Sequence, residues 1–146
     1  KNVVFHAGFY QKRTAQDTFD RIRSAVGELM QAVENNNWQV RLCPEITGKP
    51  SQFGSLRELK RLKRLTGCSF CVDFAHLFAR HQGRVDWEDL LERLPKRLHA
   101  HFSGIEHGPK GEKKHSDTSP EFFRPLAEAM LKRGVHATLI RESPRP

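Results

Sequence analysis

CSFCVDFAHLFARHQGRVDWEDLLERLPKRLHAH, residues 68–101, carries the repeat from which the fold is read. Cys68 to Val72 is a short apolar run of the kind that forms a buried strand, and it stops at Asp73. Asp86 is placed to cap a short helix from Trp87 to Leu94. A second strand, Arg97 to Ala100, follows and stops at His101. Strand, helix, strand in this order implies a parallel pair joined by a right-handed crossover.

The same unit recurs on both sides. Upstream, Val3-Val4-Phe5 ends at His6-Ala7-Gly8 and leads into a helix from about Ala15 to Asn35. Phe19, Ile22, Val26, Leu29, Met30 and Val33 give that helix one apolar stripe, and Asn35-Asn36-Asn37 stops it. The next strand, Val40 to Cys43, ends at Pro44-Glu45. Its helix puts Leu56, Leu59, Leu62 and Leu65 on one side and basic residues on the other, and Gly67 terminates it. Downstream of His101, residues Phe102 to Ser119 read as a long Gly- and Lys-rich loop. Pro120 then opens a helix that reaches Arg133 and closes at Gly134, and a fifth strand, His136 to Ile140, ends at Glu142. Five βα repeats, the last without its helix, make an α/β chain with a parallel sheet. No repeat holds a glycine-rich phosphate fingerprint, which disfavours a doubly wound dinucleotide fold.

A chain of 146 residues can bury the core of one domain, and residues 1–146 are read as such. Its 25 Lys and Arg against 17 Asp and Glu give a net charge of +8, which favours a polyanionic partner without proving one. No apolar run spans a bilayer and no signal peptide opens the sequence, so a cytoplasmic setting is expected. The first residue is Lys1, not Met, and a strand begins almost at once; the chain reads as a piece of something longer. Cys43, Cys68 and Cys71 are an odd count, which argues against a disulfide framework. Cys68 and Cys71 form a C-x-x-C, but three residues apart on a strand they face opposite ways and cannot share a metal. Small buried hydrophobes is the better reading.

Each of the five strands ends in a metal ligand or an acid: His6, Glu45, Asp73, His101 and Glu142. His76 follows Asp73 by three residues, and His115 lies in the long loop after His101. In a parallel barrel every strand C-terminus points to one face, where barrel enzymes build their sites. His, Asp and Glu without thiolates suit Zn²⁺ or Mn²⁺. Several carboxylates in one site repel unless cations hold them, and a multinuclear centre resolves this while suiting phosphodiester hydrolysis. At any single position a helix cap is as good a reading, and Asp73-Phe74-Ala75-His76 alone reads as an Asp cap with a surface His. All five strands sharing the feature is what favours a site. His99 is expected to face away from His101 and pack toward a helix; His107 is placed to line the site, and His81 and His136 to lie on the surface.

The ordered set His6, Glu45, Asp73-x-x-His76, His101, a basic loop with a His, and a strand ending Glu142-Ser143-Pro144 resembles the endonuclease IV family. Val4-Phe5-His6-Ala7-Gly8, Val72-Asp73-Phe74-Ala75-His76 and Ile140-Arg141-Glu142-Ser143-Pro144 match best and look like its fourth, sixth and eighth strands. The resemblance implies a (β/α)₈ TIM barrel, represented here by about five βα units of an incomplete barrel. It implies a zinc cluster of up to three ions that hydrolyses DNA 5′ to abasic sites, in base-excision repair. By it, His6, Glu45, Asp73, His76, His101, His115 and Glu142 are zinc ligands, and Glu45 bridges two metals and positions the nucleophilic water. The family usually carries Asp-x-His in the loop, and here Lys113 stands at the Asp position. Glu112 is the first candidate to replace that ligand, and Glu106 a weaker one. The segment Ile46 to Gly54 also departs from the family's wording, which marks a divergent branch. The family's first three strands have no counterpart, so they are expected from another segment or chain, and the fragment alone is expected to hold an incomplete site.

The loop Gly108 to His115 is the candidate for gripping the DNA backbone, through Lys110, Lys113 and Lys114. Arg57, Lys60, Arg61, Lys63 and Arg64 read as a solvated helix face. Phe9 and Tyr10 are placed to stack on a base or sugar, or to pack locally. Two alternatives stand beside the nuclease. One is a metal-dependent sugar isomerase or epimerase on the same barrel, resembling the xylose isomerase group. The other is a non-catalytic nucleic-acid-binding remnant.

Overall fold

The structure, a computed structural model, describes residues 1–144. It divides into two compact units, Lys1–Cys71 and Val72–Pro146. The first holds β1 (Asn2–Phe5), α1 (Ala15–Asn35), β2 (Arg41–Pro44) and α2 (Leu56–Thr66). β1 and β2 pair in parallel, with Val3 opposite Leu42 and Phe5 opposite Pro44. The chain before Cys71 runs along the other side of β2, where Ser69 N donates to Leu42 O at 2.9 Å and Cys71 N to Pro44 O at 3.0 Å.

Both helices start and stop where side-chain chemistry dictates. Thr14 caps α1 by accepting from Asp17 N, and Ser55 and Glu58 form a reciprocal capping box on α2. Gly67, at φ 77°, ends α2 in the left-handed region. The apolar stripe of α1 buries Phe19, Ile22 and Val26, while Leu29 stays exposed. Phe19 packs on Phe53 with ring centroids 6.0 Å apart, and the Arg61 guanidinium lies 3.9 Å above the Phe19 ring. Phe19, Leu59 and Leu62 are nearly sealed from water, each burial stabilising the unit by about 1.5–3 kcal/mol. The remaining basic residues of α2 are exposed, as a solvated face requires.

The second unit holds β3 (Val72–Asp73), α3 (Phe74–Arg80), α4 (Trp87–Glu92), β4 (Arg97–Phe102), β5 (Gly104–Gly108), β6 (Gly111–Ser116), α5 (Pro120–Arg133) and β7 (His136–Arg141). β3, β4 and β7 form a parallel sheet in that order. α4 and α5 are tied by Lys132 and Arg133 to Glu88, at 2.7 and 3.5 Å.

The parallel βα pattern agrees with the sequence; the connections hold the surprises. Phe102 closes β4, and residues 104–116 are not a loop but the antiparallel hairpin β5–β6, turning through Pro109 and Lys110. The charged residues that disguise these strands suit a solvated face, with Lys114 Nζ 3.1 Å from Glu106 Oε1 on the opposite strand. The hairpin opens at Gly104, where a Cβ would run into the backbone of Asp117. α3 follows the Asp73 cap that the sequence offers, but its range is not readable there. Its Phe74, Ala75, His76, Leu77 and Ala79 are all buried, so it offers no polar face for periodicity to reveal. The expected strand from Cys68 shrinks to Val72–Asp73, with Cys71 joined to Glu45 by an isolated bridge. Among the described residues the strands make sheets of two, three and two. No helix among them is long and apolar enough to cross a membrane.

Candidate metal centre

In the first unit the parallel register that pairs Phe5 with Pro44 brings the next residues, His6 and Glu45, side by side. Glu45 N donates to Phe5 O at 2.9 Å, and His6 Nε2 lies 3.1 Å from Glu45 Oε2. The Glu45 side chain is buried and that of His6 is 41% exposed. Gly54 seats this strand end: at φ 133°, a Cβ there would stand 2.9 Å from both Glu45 O and Thr47 Oγ1. Tyr10 is half-buried, and its hydroxyl donates to Glu58 Oε1 at 2.6 Å. Burial opposes ionisation of Glu58, but hydrogen bonds from Tyr10, Ser55 and Gly54 outweigh it and hold the carboxyl below its ordinary value.

The second unit gathers more. Asp73 and His101 are register partners on β3 and β4. Glu142 follows β7, with its N–H donating to Phe102 O at 3.0 Å. Ligand atoms of Asp73, His101 and Glu142 lie within 4.8 Å of one another, and His101 Nδ1 is 3.0 Å from Glu142 Oε1. Asp73 has two tasks. Its Oδ1 caps α3 by accepting from His76 N at 2.7 Å, and its Oδ2 lies 3.3 Å from His76 Nδ1. The Asp cap read from the sequence is present, but His76 is no surface residue: it is 2% exposed, because the α3 that Asp73 caps turns it inward.

The hairpin β5–β6 brings a further pair. His76 Nε2 lies 3.1 Å from His115 Nε2 and 3.6 Å from Glu112 Oε2. Ser103 Oγ, fully buried, holds His115 Nδ1 at 2.7 Å and fixes the ring. Two imidazole nitrogens this close need a proton or a cation between them, since two lone pairs would repel.

These groups fit a divalent metal. The donors are imidazole nitrogen and carboxylate oxygen, the set that zinc and manganese take. Separations of 3.0 to 3.9 Å in the second unit match the spacing of neighbouring ligand atoms around an ion held at ~2.1 Å.

Several sequence readings change here. His99 does not face away from His101. Two residues apart on β4, both side chains lie on one face, with ring centroids 5.5 Å apart. His99 is thus a neighbour of the centre that strand period alone identifies. His107 packs edge-on against Phe78 at 5.5 Å, while His81 and His136 are exposed, as read. Glu106 pairs across the hairpin with exposed Lys114, which leaves Glu112 beside His115. Lys110 and Lys113 are also exposed, Lys110 in the turn between the strands. None of the three cysteines forms a disulfide, all are buried, and burial pushes the Cys43 and Cys68 thiols up.

The sequence profile of the xylose isomerase-like TIM barrel family matches residues 1–145. An uncharacterized protein of Methanocaldococcus jannaschii is 35% identical over 158 aligned positions, covering 99% of this chain and 58% of the relative. The chain thus spans under two thirds of that relative's length. No solved structure matches. With its parallel βα units and its strand-end His, Asp and Glu side chains, the chain belongs to the xylose isomerase-like TIM barrel family, which includes abasic-site endonucleases and sugar isomerases.

Proposed function

We propose that this chain is part of a metal-dependent phosphodiesterase of the endonuclease IV type, which cuts DNA on the 5′ side of abasic sites during base-excision repair. The observation that carries the reading is the donor set of the second unit, where buried Asp73, His76 and His101 gather with His115 and Glu142 at the distances given above. His-rich ligation beside a lysine-bearing hairpin favours a nuclease over a sugar isomerase, which would need fewer imidazoles and no basic loop.

In this reading Asp73, His76, His101, His115 and Glu142 hold zinc, with manganese as an alternative, and His6 and Glu45 serve as ligands too. A zinc ion held there would supply Lewis acidity toward a phosphate oxygen and would ease deprotonation of water. Glu45 positions the attacking water and takes its proton, a task suited to a buried carboxylate. Lys110, Lys113 and Lys114 contact backbone phosphates, a grip that carries no sequence information. The half-exposed ring of Tyr10, steadied by Glu58, stacks on a base or sugar. The strands needed to close a barrel come from another segment or chain. β7 ends its sheet and leaves Ile140 44% exposed, an edge of the kind that native proteins cover.

The test is metal analysis and a nicking assay on the purified intact protein. After dialysis it should retain zinc and cut a duplex holding one abasic site, leaving a 3′-hydroxyl. An uncut duplex with turnover of a keto-sugar would replace the nuclease by an isomerase. Salt-sensitive DNA binding with neither metal nor turnover would replace it by a binding remnant.

A further inference from the structure

We propose that the groove between α1 and α2 in the first unit is where a second copy of this chain docks, α1 against α1 and antiparallel about a two-fold axis. The contact needs neither metal nor substrate, so it stands or falls apart from the nuclease reading.

The groove has a volume of about 730 Å³ and runs along the C-terminal half of α1 to the end of α2. Arg23, Gly27, Met30 and Glu34 line it from α1, at spacings of four, three and four residues, which is one stripe of a 3.6-residue helix. It lies beside the stripe of Phe19, Ile22 and Val26 that the core buries. Two features of the groove bring nothing to a single chain. The first is Gly27. A glycine inside a helix weakens it relative to alanine. Among the described residues, a Cβ on Gly27 would meet nothing within 4 Å beyond its own helix backbone, so no packing in the unit calls for the missing side chain. The second is the wall of Trp38 and Leu65, which are 56% and 48% exposed. Apolar surface left in water around a hollow marks a docking face.

Charge and shape select the occupant. Along the stripe, Arg23 is positive, Gly27 leaves a hollow, Met30 fills space and Glu34 is negative. Turned end for end on itself, about an axis passing between positions 28 and 29, the stripe sets Arg23 against Glu34 of the other copy. The same turn sets Met30 over Gly27 of the other copy. The two-fold repeats each contact, giving two ion pairs and two side chains seated in hollows. Arg23 lies 3.7 Å from Asp20 Oδ1 in an exposed i,i+3 pair, which it can share or leave at little cost. An unrelated helix would match this order of charge and bulk only by coincidence, whereas a second copy carries it by necessity. One helix pair flanked by Trp38 and Leu65 sits at the small end of specific interfaces, so a dissociation constant on the order of micromolar is expected.

Sedimentation velocity of the intact protein, from about 1 to about 200 μM, tests this. The parent should pass from monomer to dimer across that range. Arg23→Glu or Glu34→Arg places like charges together twice across the axis and should weaken the dimer by at least ~10-fold. Combining the two restores both pairs with their signs exchanged and should recover the dimer. Gly27→Trp fills the hollow and should leave a monomer that melts no lower than the parent does in dilute solution. A parent that stays monomeric at every concentration overturns the proposal; if Gly27→Trp also lowers its melting temperature, another part of the intact chain fills the groove. A dimer that survives Gly27→Trp uses a different face, which overturns it equally. A double charge variant that dimerises no better than either single one overturns the antiparallel pairing.

Discussion

In the first unit the strand ends supply one contact, His6 Nε2 to Glu45 Oε2 at 3.1 Å, and the His6 side chain is 41% exposed. In the second they supply a carboxylate with no exposed surface, Asp73, and a histidine that is 2% exposed, His76, with His101, Glu112, His115 and Glu142 close by. The difference is one of cost. His6 keeps access to water and can change its protonation at little penalty, whereas several ionisable groups taken out of water together need compensation of several kcal/mol. On the proposed reading, the second unit holds most of the metal ligands and the first holds the acid that acts on the attacking water. Variants in the two units should separate these tasks.

The largest effect expected is at Glu45. Glu45→Gln keeps the shape of the side chain and removes its basicity, so turnover on an abasic-site duplex should fall by roughly 10²–10⁴-fold. Ions held by Asp73, His76, His101, His115 and Glu142 should stay, and only an ion that also uses Glu45 as a ligand should weaken. If Glu45→Gln empties the protein of zinc, the contrast between an acid in one unit and a metal core in the other is lost.

Asp73 tests the opposite side. Asp73→Ala removes both the cap of α3 and a ligand, so it should cost about 1 kcal/mol in stability and weaken zinc by at least ~100-fold. Asp73→Asn should part the two effects, since Asn caps a helix as well as Asp but ligates zinc poorly. Denaturant melts in EDTA beside zinc titrations would show it. Equal zinc affinity in parent and Asp73→Asn would leave Asp73 as a cap alone.

Gly54→Ala probes how firmly the first unit holds its acid. A side chain at φ 133° is strained and meets Glu45 O and Thr47 Oγ1 at 2.9 Å, for a loss of about 1–3 kcal/mol. Because the strain falls on the backbone of Glu45, kcat should drop with it while zinc content holds. An unchanged melting curve would mean that the loop yields without disturbing the strand end.

Much of this was legible in the sequence, for reasons that differ by element. α1, α2 and α5 declare themselves through long apolar stripes and caps at both ends, and their ranges came out within a residue or two. The strand ends at His6, Glu45, Asp73, His101 and Glu142 were readable because a parallel βα unit repeats its grammar. α3 was hidden because a seven-residue helix buried on nearly every side has no period to display. The hairpin was hidden because its strands carry Lys and Glu on the outer face and are interrupted by a bulge at Lys113. A bulge has no spacing signature, so the sequence alone leaves both Glu112 and Glu106 open as partners of His115. Placement of His99 beside His101 needed no structure, only the two-residue period of a strand.

The smallest effect concerns the pocket that steadies Tyr10. Glu58 is held below its ordinary value near 4.5 because hydrogen bonds from Tyr10, Ser55 and Gly54 outweigh its burial. A depressed carboxylate contributes stability that is fully present above its unfolded pKa and is lost as pH falls through the folded one. Tyr10→Phe removes one charge-assisted hydrogen bond, so urea melts at pH 7 should show a loss of about 1 kcal/mol. The gap between parent and variant should narrow below about pH 4.5, as Glu58 takes up a proton in both proteins. A gap that widens in acid would reverse the sign, and the hydrogen bond to Tyr10 would then favour the neutral acid instead of the carboxylate. Zinc content should not respond at any pH where the parent keeps its ions, because this pocket lies in the first unit and none of its groups is among the proposed ligands.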